Sequence, residues 1–588
     1  MPHHDALHYP QVKIGGTALR SELELLLEEV VVDLSLHLPD MFEIRIQDRD
    51  GQVQQQTGAE IGKPVEIAAS SSGGTTTLIE GEITSLEASY DHGGAYLIIR
   101  GYDVTHRLQR GHTTATYLNV KDSDIVRKVL QRAGLQAGQI DDTPGTFEHV
   151  SQVNTSDWDF IQGRARENGY EITVVKGKLN LRKPVDSSQG PAAGDYRSTD
   201  PLQLVHGQDL LEFRSRVTSA EQVATIKVRG WDPKAKQPVI GQAGASTTSV
   251  ALPDTPDGLA GKVGSPTYSV VRLPLTEQGQ VDAVAKAMRE KLGSVMAEAE
   301  GVARGNPKLI AGTPVNVSEV AKPFAGRYTL SHTRHTFGPD GYFVHFTVSG
   351  RQERSLLGLA SGGQSVSAGG SPPVYGVVVA QVTDNNDPDQ VGRVKIKFPW
   401  LADDYESHWA RVTQLGAGPD SGAVFLPETG DEVLVAFDQG DIRRPYVIGS
   451  LYNGQDKPKL GSGLFDNGKV KRRGFVSRKG HQFILFDDAS KSGIALISSD
   501  NQVKVSLDES KKEIHIACGS GTVVIESQGD LSLESKTGKI TLKAQQDIEV
   551  QGMNIKAEAQ TQLQMKGVTT ELNGSGQTTI KGGTVMIN

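Results

Sequence analysis

The chain has 588 residues, of which 22% are charged and 37% hydrophobic, and it carries a net charge of −9. That length exceeds what one compact core holds, and the acidic balance argues against a nucleic-acid-binding face. The one cysteine, Cys518, excludes an intramolecular disulfide, while 66 glycines and only 6% aromatics point to many turns and short strands.

The N-terminus, Met1-Pro2-His3-His4-Asp5, lacks a basic region followed by an apolar run. No stretch reaches about 18 apolar residues, so no spanning helix is expected. The expectation is a protein made without a signal peptide and folded in the cytoplasm. Residues 1–355 then mix strands with a few helices. Glu28 to Asp33 and Phe42 to Gln47 read as strands, through the β-branched Val30, Val31 and Val32 and the alternation of Phe42, Ile44 and Ile46. Asp122 to Gly134 reads as a helix with Ile125 and Val129 on one face and Gly134 as its stop. Thr155 to Gly169 reads as a second, capped by Thr155 or Ser156, with Trp158, Ile161 and Ala165 sharing a face. Val281 to Glu300 is the longest candidate helix.

Residues 356–371 form a Gly/Ser-rich connector that cannot bury apolar surface and marks a boundary. Residues 372–456 read as all-β. Val374 to Val379, Gly392 to Phe398, Trp409 to Thr413, Glu432 to Phe437 and Tyr446 to Leu451 give five strands, which suits a small OB-type barrel. A collar, 457–480, follows, with the dense basic run Lys469, Lys471, Arg472 and Arg473.

Residues 481–588 repeat. No proline occurs after Pro458 and no aromatic after Phe486. Aliphatic pairs recur at Val503/Val505, Ile514/Ile516, Val523/Ile525, Leu531/Leu533, Ile540/Leu542, Ile548/Val550, Met553/Ile555, Leu563/Met565 and Val585/Ile587. A short period of this kind signals a stacked architecture. Two aliphatics per repeat are too few for one chain to form a core, and a lone ribbon would leave both edges open. Three chains wound about one axis would bury the stripes and pair the edges; with strands about 4.8 Å apart, the result is a needle on the order of 50 Å long. A single-chain solenoid is the competing reading.

Candidate chemistry is sparse. His332 and His335 lie three apart in a strand-like run and so face opposite sides, which prevents joint metal ligation. His3, His4 and His8 sit at a terminus. No G-x-S-x-G, H-E-x-x-H or P-loop motif occurs, and Asn453 to Gly480 is too short for an inserted glycosidase. Lys395 and Lys397, beside Phe398 and Trp400, favour a core and interface role over oligonucleotide binding, and Cys518 reads as a small core residue. No catalytic residue, cofactor or metal site is expected.

Several strings resemble the VgrG family and the related hub and spike proteins of contractile phages. These are Gly101-Tyr102-Asp103-Val104-Thr105-His106-Arg107-Leu108, Thr155-Ser156-Asp157-Trp158-Asp159-Phe160-Ile161 and Val228-Arg229-Gly230-Trp231-Asp232-Pro233. Gly392 to Trp400, Ser407 to Val412, Pro427 to Val433 and Arg444 to Gly449 continue the likeness in order. Val32 to Phe42 is closer to the extracellular, phage-tail-like branch. Gln414 to Pro419 departs from the tryptophans common in type VI members.

The resemblance implies a mainly β homotrimer. It would comprise a hub of two related β-barrels (1–355), an OB-fold barrel (372–456) and an intertwined triple-stranded β-helix spike (481–588). It implies a structural spike that joins a hexameric inner tube and baseplate to a puncturing tip. Expected partners are the tube protein, baseplate proteins, a PAAR-like tip protein at Val585, Met586, Ile587 and Asn588, effector cargo, and the target membrane in passing. The particle would be assembled in a bacterium and could be released from it. A spike with added peptidoglycan-hydrolysing activity, or a surface-binding fibre, remains the alternative.

Overall fold

A computed structural model of the chain describes residues 8–194, 198–351, 373–460, 463–488 and 490–587. The chain divides into two units, Met1–Lys457 and Pro458–Asn588. The Gly/Ser connector expected at 356–371 lies outside the described residues, as do His3, His4 and Asn588.

The first unit is organised by an eleven-stranded sheet. Its order is Leu210–Val217, Ala297–Arg304, Gly341–Val348, His332–Gly338, Leu27–Ser35, Met41–Gln47, Gly94–Asp103, Gly74–Asp91, Pro64–Ser71, Tyr9–Ile14 and Thr17–Ala18. The halves meet where His332–Gly338 pairs antiparallel with Leu27–Ser35, placing His332 opposite Ser35 and Phe337 opposite Val30. Val30, Val31 and Val32 are all buried. This strand is covered on both faces, which is why its sequence is a continuous β-branched run and not an alternation. Each half has its own core. One gathers Val32, Phe42, Ile44, Ile67 and Ile99, and the other gathers Leu210, Met296, Tyr328, Val344 and Phe346. The two-barrel expectation thus takes the form of two cores on one shared sheet. Among the described residues, the set of strands that closes on itself is the later five-stranded barrel.

The expected helices form, with one correction. Asp122–Ala133 ends on Gly134, whose φ of 67° supplies the left-handed stop. Asp157–Glu167 is capped by Ser156, whose hydroxyl accepts from the Asp159 amide at 3.0 Å. The third helix runs Gln278–Gly293 and does not extend to Glu300. Ala297–Arg304 is instead a strand with alternating burial, and a side chain at Gly293 would overlap the Ser246 carbonyl. The period-2 run of Ala297, Ala299, Gly301 and Ala303 carried that signal in the sequence.

The string around Asp103 acts as a corner. Its carboxylate accepts from the Thr105 amide at 2.6 Å and from the Asp40 amide at 2.5 Å. Burial pushes the carboxyls of both Asp103 and Asp40 upward. His106 and Arg107 close on Glu82. Gly101 is fixed by contact, because any Cβ there would overlap the Glu82 carbonyl and the Phe42 ring.

The barrel closes through Val377–Asp384, Arg393–Lys397, Ala410–Val412, Pro445–Ser450 and Glu432–Phe437. Its first strand starts later than Val374, after Gly376 with φ 131°. The core holds Val394, Ile396, Phe398, Tyr405, Val433, Val435 and Val447.

In the second unit, five strands form an antiparallel meander: Arg472–Val476, Gln482–Asp488, Lys491–Ile497, Val503–Asp508 and Glu513–Cys518. It begins inside the segment read as a collar.

Candidate assembly interface

The meander sorts its side chains by face. Leu485, Ile494, Leu507 and Ile514 lie opposite one another along one row, and Phe483, Leu496, Val505 and Ile516 along the next. Such cross-strand apolar pairs stabilise a sheet, and covering the face would add the gain of taking its apolar surface out of water. Here exposure is high toward the last strands: Leu496 is 52% exposed, Ile516 60% and Ile514 73%.

Among the described residues, none from Ser520 to Ile587 makes a backbone-to-backbone hydrogen bond, and none forms a strand pair. Bends nevertheless recur every seven to nine residues, at Gln528–Gly529, Lys536–Gly538, Gln545–Gln546, Met553, Gln560–Thr561, Val568–Thr569, Ser575–Gly576 and Gly583–Thr584. Between bends, the aliphatic pairs Val523/Ile525, Leu531/Leu533, Ile540/Leu542, Ile548/Val550 and Leu563/Met565 are all exposed. Met553 is corrected: it sits on a bend, fully exposed, and leaves Ile555 as that repeat's aliphatic. Leu572 and Ile580 supply the two repeats that a search for pairs overlooks. Each such side chain would gain roughly 1.5–3 kcal/mol on leaving water, and backbone N–H and C=O groups without backbone partners remain open to pairing. At the end, Val585, Met586 and Ile587 are exposed.

The other residues singled out in sequence fall apart from one another. His332 meets Asp33 on one face of its strand, while His335 is buried on the other and hydrogen-bonds Tyr342 at 2.8 Å. His8 packs edge-on against Tyr342. Among the described residues, no His, Cys, Asp and Glu side chains group as metal ligands. Lys395 pairs with Glu406 at 3.0 Å, Phe398 is wholly buried, and the Trp400 indole donates to the Val379 carbonyl at 3.2 Å. The basic run is largely matched: Lys471 by Asp466 and Asp488, Arg473 by Asp487, and Arg472 by the Phe486 ring. Cys518 is half-buried at a strand end, not a core residue.

Sequence reasoning missed the joint that seats the barrel on the strand Phe147–Thr155. Val153 enters the barrel core, the Ser151 hydroxyl lies 3.3 Å from the Tyr405 hydroxyl, and His149 Nε2 donates to the Glu406 carbonyl at 3.0 Å. His408 reaches back to Glu148 at 3.2 Å, and the two imidazoles lie 5.7 Å apart. Over the Phe147 ring of the same strand, Arg164 is buried and bidentate on Asp122 at 2.6 and 3.1 Å, and it also holds Glu167 at 2.5 Å. Only the burial of residues with no shared sequence signature reveals this joint.

Burial holds the His149 pKa down at about 4, aided by the positive charges of His408 and Lys395 against the Glu406 carbonyl. His408 is shifted the same way, again mainly by burial. A folded-state pKa below the unfolded value means that the unfolded chain takes up protons first as pH falls. The joint's contribution is therefore complete above about pH 6.5 and declines as pH drops toward the folded value near 4. His149→Gln keeps an amide donor for the Glu406 carbonyl but cannot titrate. Its melting midpoint should fall less than that of the parent between these limits; parallel midpoints across the whole range would contradict the assignment.

The comparisons with known proteins divide along the same lines. The family described as the Alg8 N-terminal domain matches residues 5–338. The family described as the type VI secretion system/phage-baseplate injector OB domain matches residues 378–452. The type VI secretion system spike protein VgrG1c of Pseudomonas aeruginosa is 24% identical over 423 residues, covering 67% of this chain and 55% of that protein. VgrG5 of the same organism is 40% identical over 94 residues, 15% of this chain and 12% of that one. The chain thus spans about half, or less, of the length of these relatives. A half-lidded PdpA-VgrG complex from Francisella shares the fold at TM-score 0.50 and 10% identity, with 87% of each chain covered.

Proposed function

We infer that this chain, which belongs to the Alg8 N-terminal domain family and is a VgrG-like spike protein, serves as the central structural spike of a contractile injection system. The observation that carries the reading is the tail. It is a bend-punctuated repeat with an exposed aliphatic stripe and, among the described residues, no backbone-to-backbone hydrogen bond from Ser520 to Ile587. Identical partners at the same register would satisfy both at once, so the spike is a homotrimer. A three-chain assembly then carries six core-bearing half-sheets, which suits docking onto a hexameric tube within a baseplate.

The role is mechanical: the tail must stay folded under load, and mutual strand pairing leaves no edge to peel. Val585, Met586 and Ile587 would seat a PAAR-like tip protein, and cargo would travel with the spike through the target envelope. The spike would fold in the bacterial cytoplasm, in a system of the extracellular, phage-tail-like branch. Light scattering on the purified full chain tests the reading. The expected mass is that of three copies, stable on dilution; a stable monomer would overturn it.

A further inference from the structure

The strand Thr225–Asp232 carries the string Val228-Arg229-Gly230-Trp231, to which the spike reading assigns no role. Its alternation buries Ile226 and Val228 against Val281, Val284, Ala285 and Met288 of the helix Gln278–Gly293. The same alternation turns Lys227, Arg229 and Trp231 to the opposite face. The neighbouring strand Gln237–Gly244 sets Ile240 beside Arg229 and Pro238 beside Trp231. The helix rests in turn on Asp157–Glu167. On the open face Trp231 is 51% exposed and Ile240 39%.

Two features bear on what this face can bind. First, it is held rigidly. The Trp231 amide donates to the Leu275 carbonyl at 2.9 Å, and Asp232 caps the hairpin by accepting from the Lys234 and Ala235 amides. Second, its charge is unmatched. Some arginines of the same unit, Arg45, Arg100, Arg107, Arg164 and Arg182 among them, hold carboxylates. Lys227, Arg229, Lys234 and Lys236 hold none among the described residues, in a chain of net charge −9. Tryptophan and arginine on a preorganised surface are the residue types that dominate protein interfaces.

We propose that this face docks an acidic polypeptide whose carboxylates meet Lys227, Arg229 and the hairpin lysines while an apolar side chain lies on Trp231 and Ile240. The docking does not depend on the tail or on trimer formation, so it stands or falls separately from the spike reading.

The test uses the full chain and a short fluorescein-labelled peptide alternating Glu and Leu. An alternating Lys–Leu peptide and a short DNA duplex serve as comparison arms. The Glu–Leu peptide is expected to bind saturably and to weaken with salt. Lys227→Glu with Arg229→Glu should lower its affinity about tenfold or more, and Trp231→Ala should lower it as well. All these side chains lie on a solvent face, so the variants should keep the parent's circular dichroism and melting midpoint. A second apolar variant, Ile240→Ser, gives the same reading without touching Trp231. Peptide binding that ignores these substitutions overturns the proposal. So does tighter binding of the duplex or the Lys–Leu peptide, or self-association of the chain that Trp231→Ala abolishes.

Discussion

Ile540→Asp combined with Leu542→Asp should abolish the three-copy mass in light scattering while the first unit keeps its melting transition. Both side chains lie on the exposed stripe between the bends at Lys536–Gly538 and Gln545–Gln546. In a trimer each substitution occurs three times about one axis. Every copy loses roughly 1.5–3 kcal/mol of apolar burial per side chain and would bring like charges together in a water-poor interior. Thr541→Asp, which points to the opposite side of the same strand-like segment, should leave the mass unchanged. Equal effects at 540 and 541 would mean that the stripe is not the buried face, and the three-chain reading would fall.

The second large effect is expected at Arg164. Its guanidinium is 3% exposed and the Asp122 carboxylate 2%. Asn168 adds a further hydrogen bond to Asp122 at 2.6 Å, and the guanidinium lies over the Phe147 ring at 4.7 Å. Removing one partner of such a pair leaves a buried charge uncompensated, and Arg164→Ala should cost about 3–5 kcal/mol. Thermal unfolding of the intact chain should show the first unit melting earlier. Arg164→Met with Asp122→Asn should recover part of the loss, because Asp122 is then no longer left as an unpaired buried charge. A double variant as unstable as the sum of the singles would show that the two groups are not coupled.

Part of this architecture was legible from local rules. The helix at Asp122–Ala133 announced its stop with Gly134, and the helix at Asp157–Glu167 its start with Ser156. The barrel strands were visible because each alternates over a closed core. The third helix misled because Val281, Val284, Met288, Leu292 and Val295 keep helical spacing past the point where Gly293 presses on the Ser246 carbonyl. That contact joins residues far apart in sequence, and no window around Gly293 contains it.

The sequence by itself determined the repeat, its aliphatic stripe and the absence of proline from the tail, because periodicity and backbone donor capacity are local properties of the chain. Only the tertiary structure decided which residues hold the barrel to the strand Phe147–Thr155, that Val30 to Val32 lie at the centre of one continuous sheet, and that Trp231 faces outward. Those outcomes depend on what lies opposite each side chain, and a single strand's pattern does not say what its neighbour brings.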